Sequence, residues 1–474
     1  MSFFIVLFST VLLFFHQAFK IKFFQDDYFF ISISQPKNIT DFLHFFSPIR
    51  TYSFKPLSSE LFYFFLKLFN YNFFIGHLTV FITYFFGLYF LYQCVRIVSK
   101  NNLFAKLSVF LYAINLTHVF QLYWFATFQE ILLFTALTAS FYFYLKKKIP
   151  VSLVFFLIAL LSKETAILFI PFLLLYDFVF NKKEITKKSY FLIYFLTAFY
   201  FYFIYRLSLT YVTENANYSI NLTNLRMIIN NAMWYLLWAV GMPNFVPNFM
   251  QSIFKPPLPI FQEYWKQTDF QIYSFLLLIS WLILLVSFLI LLVKKKNVIK
   301  SVFNWGLFCL ISFYLYLGPI LFFPHKWIVR LMLPQIFISV FFAYILWQLI
   351  NAKGITKNLA IVYLVIYVLV SYFGVRLHQS SSLYFLENQI AEKATQYFQE
   401  HKKEILKYDA IFFRDLPLIR EEIWGQSIKL KDSLMDEHFL SYFFPEKKLK
   451  AFYSFETKSP PKNSYLINSF LLLK

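Results

Sequence analysis

The sequence predicts a polytopic α-helical membrane protein, with about eleven transmembrane helices and a small extracytoplasmic α/β tail. Three observations carry this expectation. The 474 residues are 59% hydrophobic, with a mean hydropathy of +0.58 and only 14% charged residues. That is too apolar for a soluble domain of this size. Apolar runs of roughly the 20 residues that span a bilayer recur as far as residue 376. Basic clusters follow every second run, which is the positive-inside pattern.

The spans expected from these runs are 3–20, 72–95, 103–121, 124–145, 149–162, 164–180, 189–207, 271–293, 302–323, 328–350 and 359–376. The first lacks a basic start and a small-residue cleavage site, so it reads as a retained helix. The run 149–162 is short for a crossing. The basic clusters are Arg96/Lys100/Lys106, Lys146–Lys148, Lys182/Lys183/Lys187/Lys188, Lys294–Lys296/Lys300 and Lys353/Lys357. Their alternation puts them and the N-terminus in the cytoplasm. The 21–71 loop, the 208–270 loop and the C-terminal tail then lie outside. Residues 226–250 would break this alternation if they crossed, so they read as an interfacial or re-entrant segment.

Two units follow: a membrane unit at 1–378 and an extracytoplasmic unit at 379–474. In the first outer loop, "ITDFLHFFSPI" is amphipathic and suits a short surface helix. From about residue 380 the polarity changes. "SLYFLENQIAEKATQYFQEHKKEILK" reads as a helix and "YDAIFFRD" as a strand. Roughly 95 residues suffice for a small domain.

The net charge of +20 does not point to nucleic acid. Residues 1–379 hold 30 of the 44 Lys+Arg and 11 of the 24 Asp+Glu, whereas the tail holds 14 and 13. The excess is therefore that of short cytoplasmic loops. The 69 Phe and 34 Tyr accord with an AT-rich coding sequence. Cys94 and Cys309 both sit in apolar runs, so no disulfide is expected.

Acids near a membrane are costly and call for a reason. Two stand together in "KFFQDDYFF", where Asp26 and Asp27 follow the outer end of the first helix. Alone, they suit a solvated loop start. Other charged segments share that outer face. Lys55 lies in "YSFKPLSSELFYFF", where a cation can hold a lipid phosphate. Lys163 and Glu164 interrupt two apolar runs in "LLSKETAILFIP", and Glu130 opens the outer half of a span in "WFATFQEILLF". His325, Lys326 and Arg330 fall in "FFPHKWIVRLMLP". Carboxylates with several cations at one leaflet suit a reaction on an anionic lipid.

This order of motifs resembles the GT-C superfamily of integral membrane glycosyltransferases: Asp-Asp after helix 1, Phe-Lys-Pro-Leu, an acid in helix 4, Ser-Lys-Glu at an outer turn, then a Pro…Arg…Pro hairpin. The likeness covers about residues 1–350, and is nearest to protein O-mannosyltransferases and the bacterial aminoarabinose transferase acting on lipid A. It implies a sugar donor on a polyprenyl phosphate and an acceptor hydroxyl on a glycan, lipid or protein at the outer face of a bacterial plasma membrane. The family's catalytic acid matches Asp26, with Asp27 beside it to orient the acceptor or bind a divalent cation. The phosphate-contacting positions match Lys55, Lys163 and Arg330; His325 is expected to hold the donor phosphate with them, with Glu130 and Glu164 in support. Lys55 stands where Arg is commoner, which exchanges a bidentate grip for a point charge. Phe128 and Gln129 precede Glu130 where some relatives carry Arg. Two other classes fit the same sequence less well: a flippase of lipid-linked sugars, and a non-enzymatic scaffold. Against a transporter stand the low glycine content, 8 in 474, and acids grouped at one face.

Overall fold

The computed structural model describes residues 2–50, 52–180, 190–209, 220–250, 255–294, 296–352, 354–416, 426–457 and 459–473. The basic cluster at 182–188, Lys295 and Lys353 lie outside these residues.

Among the described residues, seven helices are long and apolar enough to cross a membrane, or eight if one bent pair counts as a span. α1 (Ser2–Phe15) runs on through a 3-10 turn to Lys20. α5 (Phe73–Ser99) has 27 residues and is therefore about 40 Å long. Asn72 starts it by accepting from the Phe74 and Ile75 N–H groups, at 2.9 and 3.2 Å. α6 (Asn102–Ala113) bends by 48° at Ile114–Asn115 into the segment 116–123, which includes α7 (Val119–Tyr123). α8 (Phe128–Leu145) packs along α5. Gly87 permits this contact, because a Cβ there would stand 2.7 Å from Thr135 Oγ1. Small residues at such crossings bring backbones together in apolar surroundings.

The remaining apolar runs also become helical. α9 (Ile149–Leu160) and α10 (Phe169–Phe180) have 12 residues each, with a 3-10 turn at Glu164–Leu168 between them. α11 (Tyr190–Leu209) follows. α12 (Leu225–Ala239), in the segment expected not to cross, has 15 residues and is short for a bilayer. Asn231 on it donates to Leu321 O and Phe323 O at 3.0 and 2.8 Å. α13 (Phe261–Trp265) leads into α14 (Thr268–Lys294), α15 (Lys296–Leu317), α16 (Gln335–Asn351) and α17 (Ile355–Ser381). α11 and α14 leave rows of apolar side chains exposed, among them Phe195, Phe199, Phe203, Leu278, Leu282 and Leu285. Such rows suit contact with lipid. Cys94 and Cys309 are buried and unpaired.

The 21–71 loop contains α2 (Asp26–Ile33), α3 (Ile39–His44) and α4 (Glu60–Leu68). α3 is the amphipathic stretch, closed by Asn38, whose side chain accepts from the Asp41 N–H at 2.8 Å. Its Ile39 and Leu43 are exposed, as on a surface helix. Arg50, buried, pairs with the buried Glu60 and donates to Ser47 O at 2.7 Å. Arg50 also donates to His44 O at 3.1 Å, so it ties the end of α3 to the start of α4.

α18 (Leu383–Ile405) begins the tail with one residue, Ser382, separating it from α17. The expected strand is β1 (Ala410–Arg414), centre of a parallel sheet in the order β2 (Lys450–Tyr453), β1, β3 (Ser464–Asn468). Ala410 registers with Lys450 on one side and Ser464 on the other. α19 (Gln426–Leu434), α20 (Leu440–Phe443) and α21 (Ser469–Leu473) complete it. Phe398 of α18 stacks on Phe439 at 5.2 Å, the centre of the tail's small core.

Candidate active site

The acid pair sits on the first turn of α2, because the chain reverses at Gln25. Gln25 has φ 49 and ψ −129, rarely adopted by a residue with a Cβ. Asp27 points inward and is fully buried. Its oxygens accept from the Tyr63 hydroxyl at 2.5 Å and the Phe24 N–H at 3.1 Å. Burial pushes its carboxyl up to about 8; the Asp26 charge adds to this and the bonds from Tyr63 and Phe24 oppose it. Asp26 is only partly buried. Burial raises it to about 6, with Lys55 pulling the other way. At neutral pH the pair therefore holds about one negative charge, mostly on Asp26. Desolvation, more than mutual repulsion, sets these values.

Lys55 belongs to the loop before α4. This loop is sewn to the Ser162–Glu164 turn: the Leu57 N–H donates to Leu161 O at 3.2 Å, and the Ser58 hydroxyl donates to Ser162 O at 2.7 Å. Two segments a hundred residues apart thus hold their charges together. Lys55 Nζ lies 3.8 Å from Glu164 Oε2. Burial holds the Lys55 ammonium below its ordinary value, against the opposing field of Glu164. Lys163 turns inward and pairs with Glu130, on the first turn of α8; both are buried. Their mutual attraction offsets a desolvation that neither charge could bear alone.

Arg330 completes the group from the segment between α15 and α16. Its guanidinium donates to His325 O at 2.9 Å, bonds to the Tyr235 side chain of α12, and lies within electrostatic reach of Glu164. The His325 ring stands further out, where burial first, then Arg330 and Lys326, keep it below its ordinary value. It borders a cleft of about 790 Å³ that also takes in Lys326, Trp327, Tyr384 and Asn244.

The structure thus gathers Asp26, Asp27, Lys55, Glu130, Lys163, Glu164 and Arg330 around one place, with His325 at its edge. Asp27 is fully buried, and its oxygens are engaged by Tyr63 and Phe24. Lys163 is closed in its pair with Glu130, whereas Lys55 lies beside Glu164. Among the described residues, no group of three or more His, Cys, Asp or Glu side chains is arranged to hold a metal ion.

Sequence reasoning missed Tyr63, Tyr235, Gln25 and the tail's Glu387. In a chain with 34 Tyr, nothing local marks Tyr63 and Tyr235 as the partners of Asp27 and Arg330. No protein-family model, curated protein or solved structure matches this chain.

Proposed function

We propose that this chain is a membrane glycosyltransferase that moves a sugar from a polyprenyl phosphate to an acceptor hydroxyl, with Asp26 as general base. One observation carries the reading: a partly buried carboxyl raised to about 6 lies within electrostatic reach of Lys55, which itself lies within reach of Glu164 and Lys163, with Arg330 within reach of Glu164. A base of that strength is ionised at neutral pH and still takes up a proton readily. Cations fixed in a site with little water stabilise a leaving phosphate without an acid catalyst.

In the proposed step, the acceptor oxygen forms a bond to the anomeric carbon while its proton passes to Asp26. The bond from that carbon to the phosphate oxygen breaks. Polyprenyl phosphate leaves with the electron pair, its added charge facing Lys55 and Arg330. Attack opposite the leaving group inverts the anomeric centre. Asp27, neutral and held by Tyr63, keeps Asp26 in place. The GT-C resemblance supports the same chemistry and a GT-C type architecture.

The proposal includes the arrangement in the membrane. Eleven crossings result if the bent pair α6/α7, the short helices α9 and α16, and α10 with its preceding 3-10 turn each count as one. The N-terminus is then cytoplasmic. The Asp26 face and the tail are extracytoplasmic, in the plasma membrane of a bacterium. The test is a panel of labelled polyprenyl-phosphate sugars presented to the purified chain in lipid, with release of polyprenyl phosphate as the readout. Release from one sugar class supports the reading and names the donor. Transbilayer movement of the intact donor without release would favour a flippase instead.

A further inference from the structure

The turn that carries Asp26 is held from outside the helix bundle. Gln25, strained at φ 49, donates its backbone N–H to Ser433 O of α19 at 2.8 Å. Its side-chain amide donates to the Glu387 carboxyl of α18. Lys22 N–H donates to Asn388 Oδ1 at 3.3 Å, and the Ser32 hydroxyl bonds to His438 Nδ1 at 2.9 Å. Tyr28 lies against Tyr442 and Phe443, with ring centres 5.8 Å away in each case. Every one of these partners belongs to the tail.

Glu387 is an expensive choice for a packing residue. It is buried, and burial first, then the charges of Asp432 and Asp26, push it up to about 8 against the pull of Lys429. An apolar side chain of the same size would avoid that desolvation. What the carboxyl adds is an acceptor for the Gln25 amide, at the residue whose backbone reverses the chain just before Asp26.

We propose that the tail is a working part of the active site, and that Glu387, acting through Gln25, is a positioning residue that aims Asp26. This rests on the glycosyl-transfer reading above for its catalytic half. Its structural half stands on its own: undocking the tail at this contact releases the turn. Lys55, Lys163 and Arg330 are held by other segments, so donor binding is spared.

The test compares the full-length wild type with Glu387→Met and Glu387→Gln, both in lipid. Met fills the space and cannot accept the bond; Gln keeps an acceptor oxygen and no charge. Two readouts are taken: kcat and KM with a labelled polyprenyl-phosphate sugar, and hydrogen exchange over residues 24–30. There the Asp27 and Tyr28 N–H groups bond to Phe24 O and Gln25 O at 3.2 and 3.0 Å. We expect Glu387→Met to lower kcat by about 10- to 100-fold, the scale of a small misplacement of a reacting group, with KM nearly unchanged. Exchange over 24–30 should quicken in Glu387→Met alone, and Glu387→Gln should keep both properties. A purely packing role would leave kcat unchanged in the Met variant, and that result overturns the proposal, as does unchanged exchange. If the wild type releases no product from any donor while the Met variant still loosens the turn, the glycosyl-transfer reading fails and the tail-held turn stands.

Discussion

Tyr63 donates its hydroxyl to Asp27 at 2.5 Å, inside a site from which both side chains are excluded from solvent. The bond fixes α4 to the start of α2 and sets which aspartate is free to act. Removing it with Tyr63→Phe should cost about 1 kcal/mol of stability. The native carboxyl is neutral near pH 7, so Asp27→Asn should keep most of the transfer rate, whereas Asp27→Ala, which loses both bonds, should fall well below it. Unfolding in detergent and donor turnover check the two parts. Equal losses in Asn and Ala would show that Asp27 must ionise.

The buried pair Lys163–Glu130 predicts a second pattern. Either partner alone would be an uncompensated charge, so Lys163→Met and Glu130→Gln should each destabilise by about 3–5 kcal/mol. The double variant should be milder than either single change. Thermal unfolding of the four proteins gives the coupling directly. Additive losses would mean that the pair carries no mutual energy.

In the proposed reaction Glu164 would compete with the donor phosphate for Lys55, from which it lies 3.8 Å away with its own side chain about half exposed. Glu164→Gln should therefore lower KM for the donor. At this modest range the change should be a few-fold, smaller in high salt. A raised KM would place Glu164 among the groups that bind substrate.

Under the proposed function, acidity should switch the transfer reaction through Asp26. Its carboxyl is raised to about 6, so the transfer rate should climb as pH passes through 6. The stability effect has the opposite sign. Asp26 and Asp27 hold protons more tightly when folded than when unfolded, so folding binds protons between about pH 4 and 8. Their contribution to stability is greatest at low pH and falls as pH rises across that window. A rate profile flat from pH 5 to 8 would remove Asp26 from the proton transfer.

Much of the helical plan is legible in the sequence, because apolar runs bounded by charges or by Asn caps need no knowledge of their neighbours. Each expected span has a helix or helix pair at its position. The chemistry is legible only as residue types. Lys55, Glu130, Lys163 and Arg330 stand out because charge is rare in such surroundings. Their pairing is not readable, since Lys163 turns to Glu130 while its neighbour Glu164 turns to Lys55. The role of the tail is hidden for the same reason. Gln25 and Glu387 are 362 residues apart, and a Glu on an amphipathic helix looks like a solvated face until its partner is known.

The most direct measurement compares wild type with Asp26→Asn for release of polyprenyl phosphate from the donor that the wild type uses. The Asn variant keeps the size of the native side chain and cannot take the proton. Transfer should fall by at least about a hundredfold, the lower end for loss of a general base, while the folded protein and its donor affinity remain. Transfer by Asp26→Asn at the wild-type rate would contradict the assignment of Asp26 as the base.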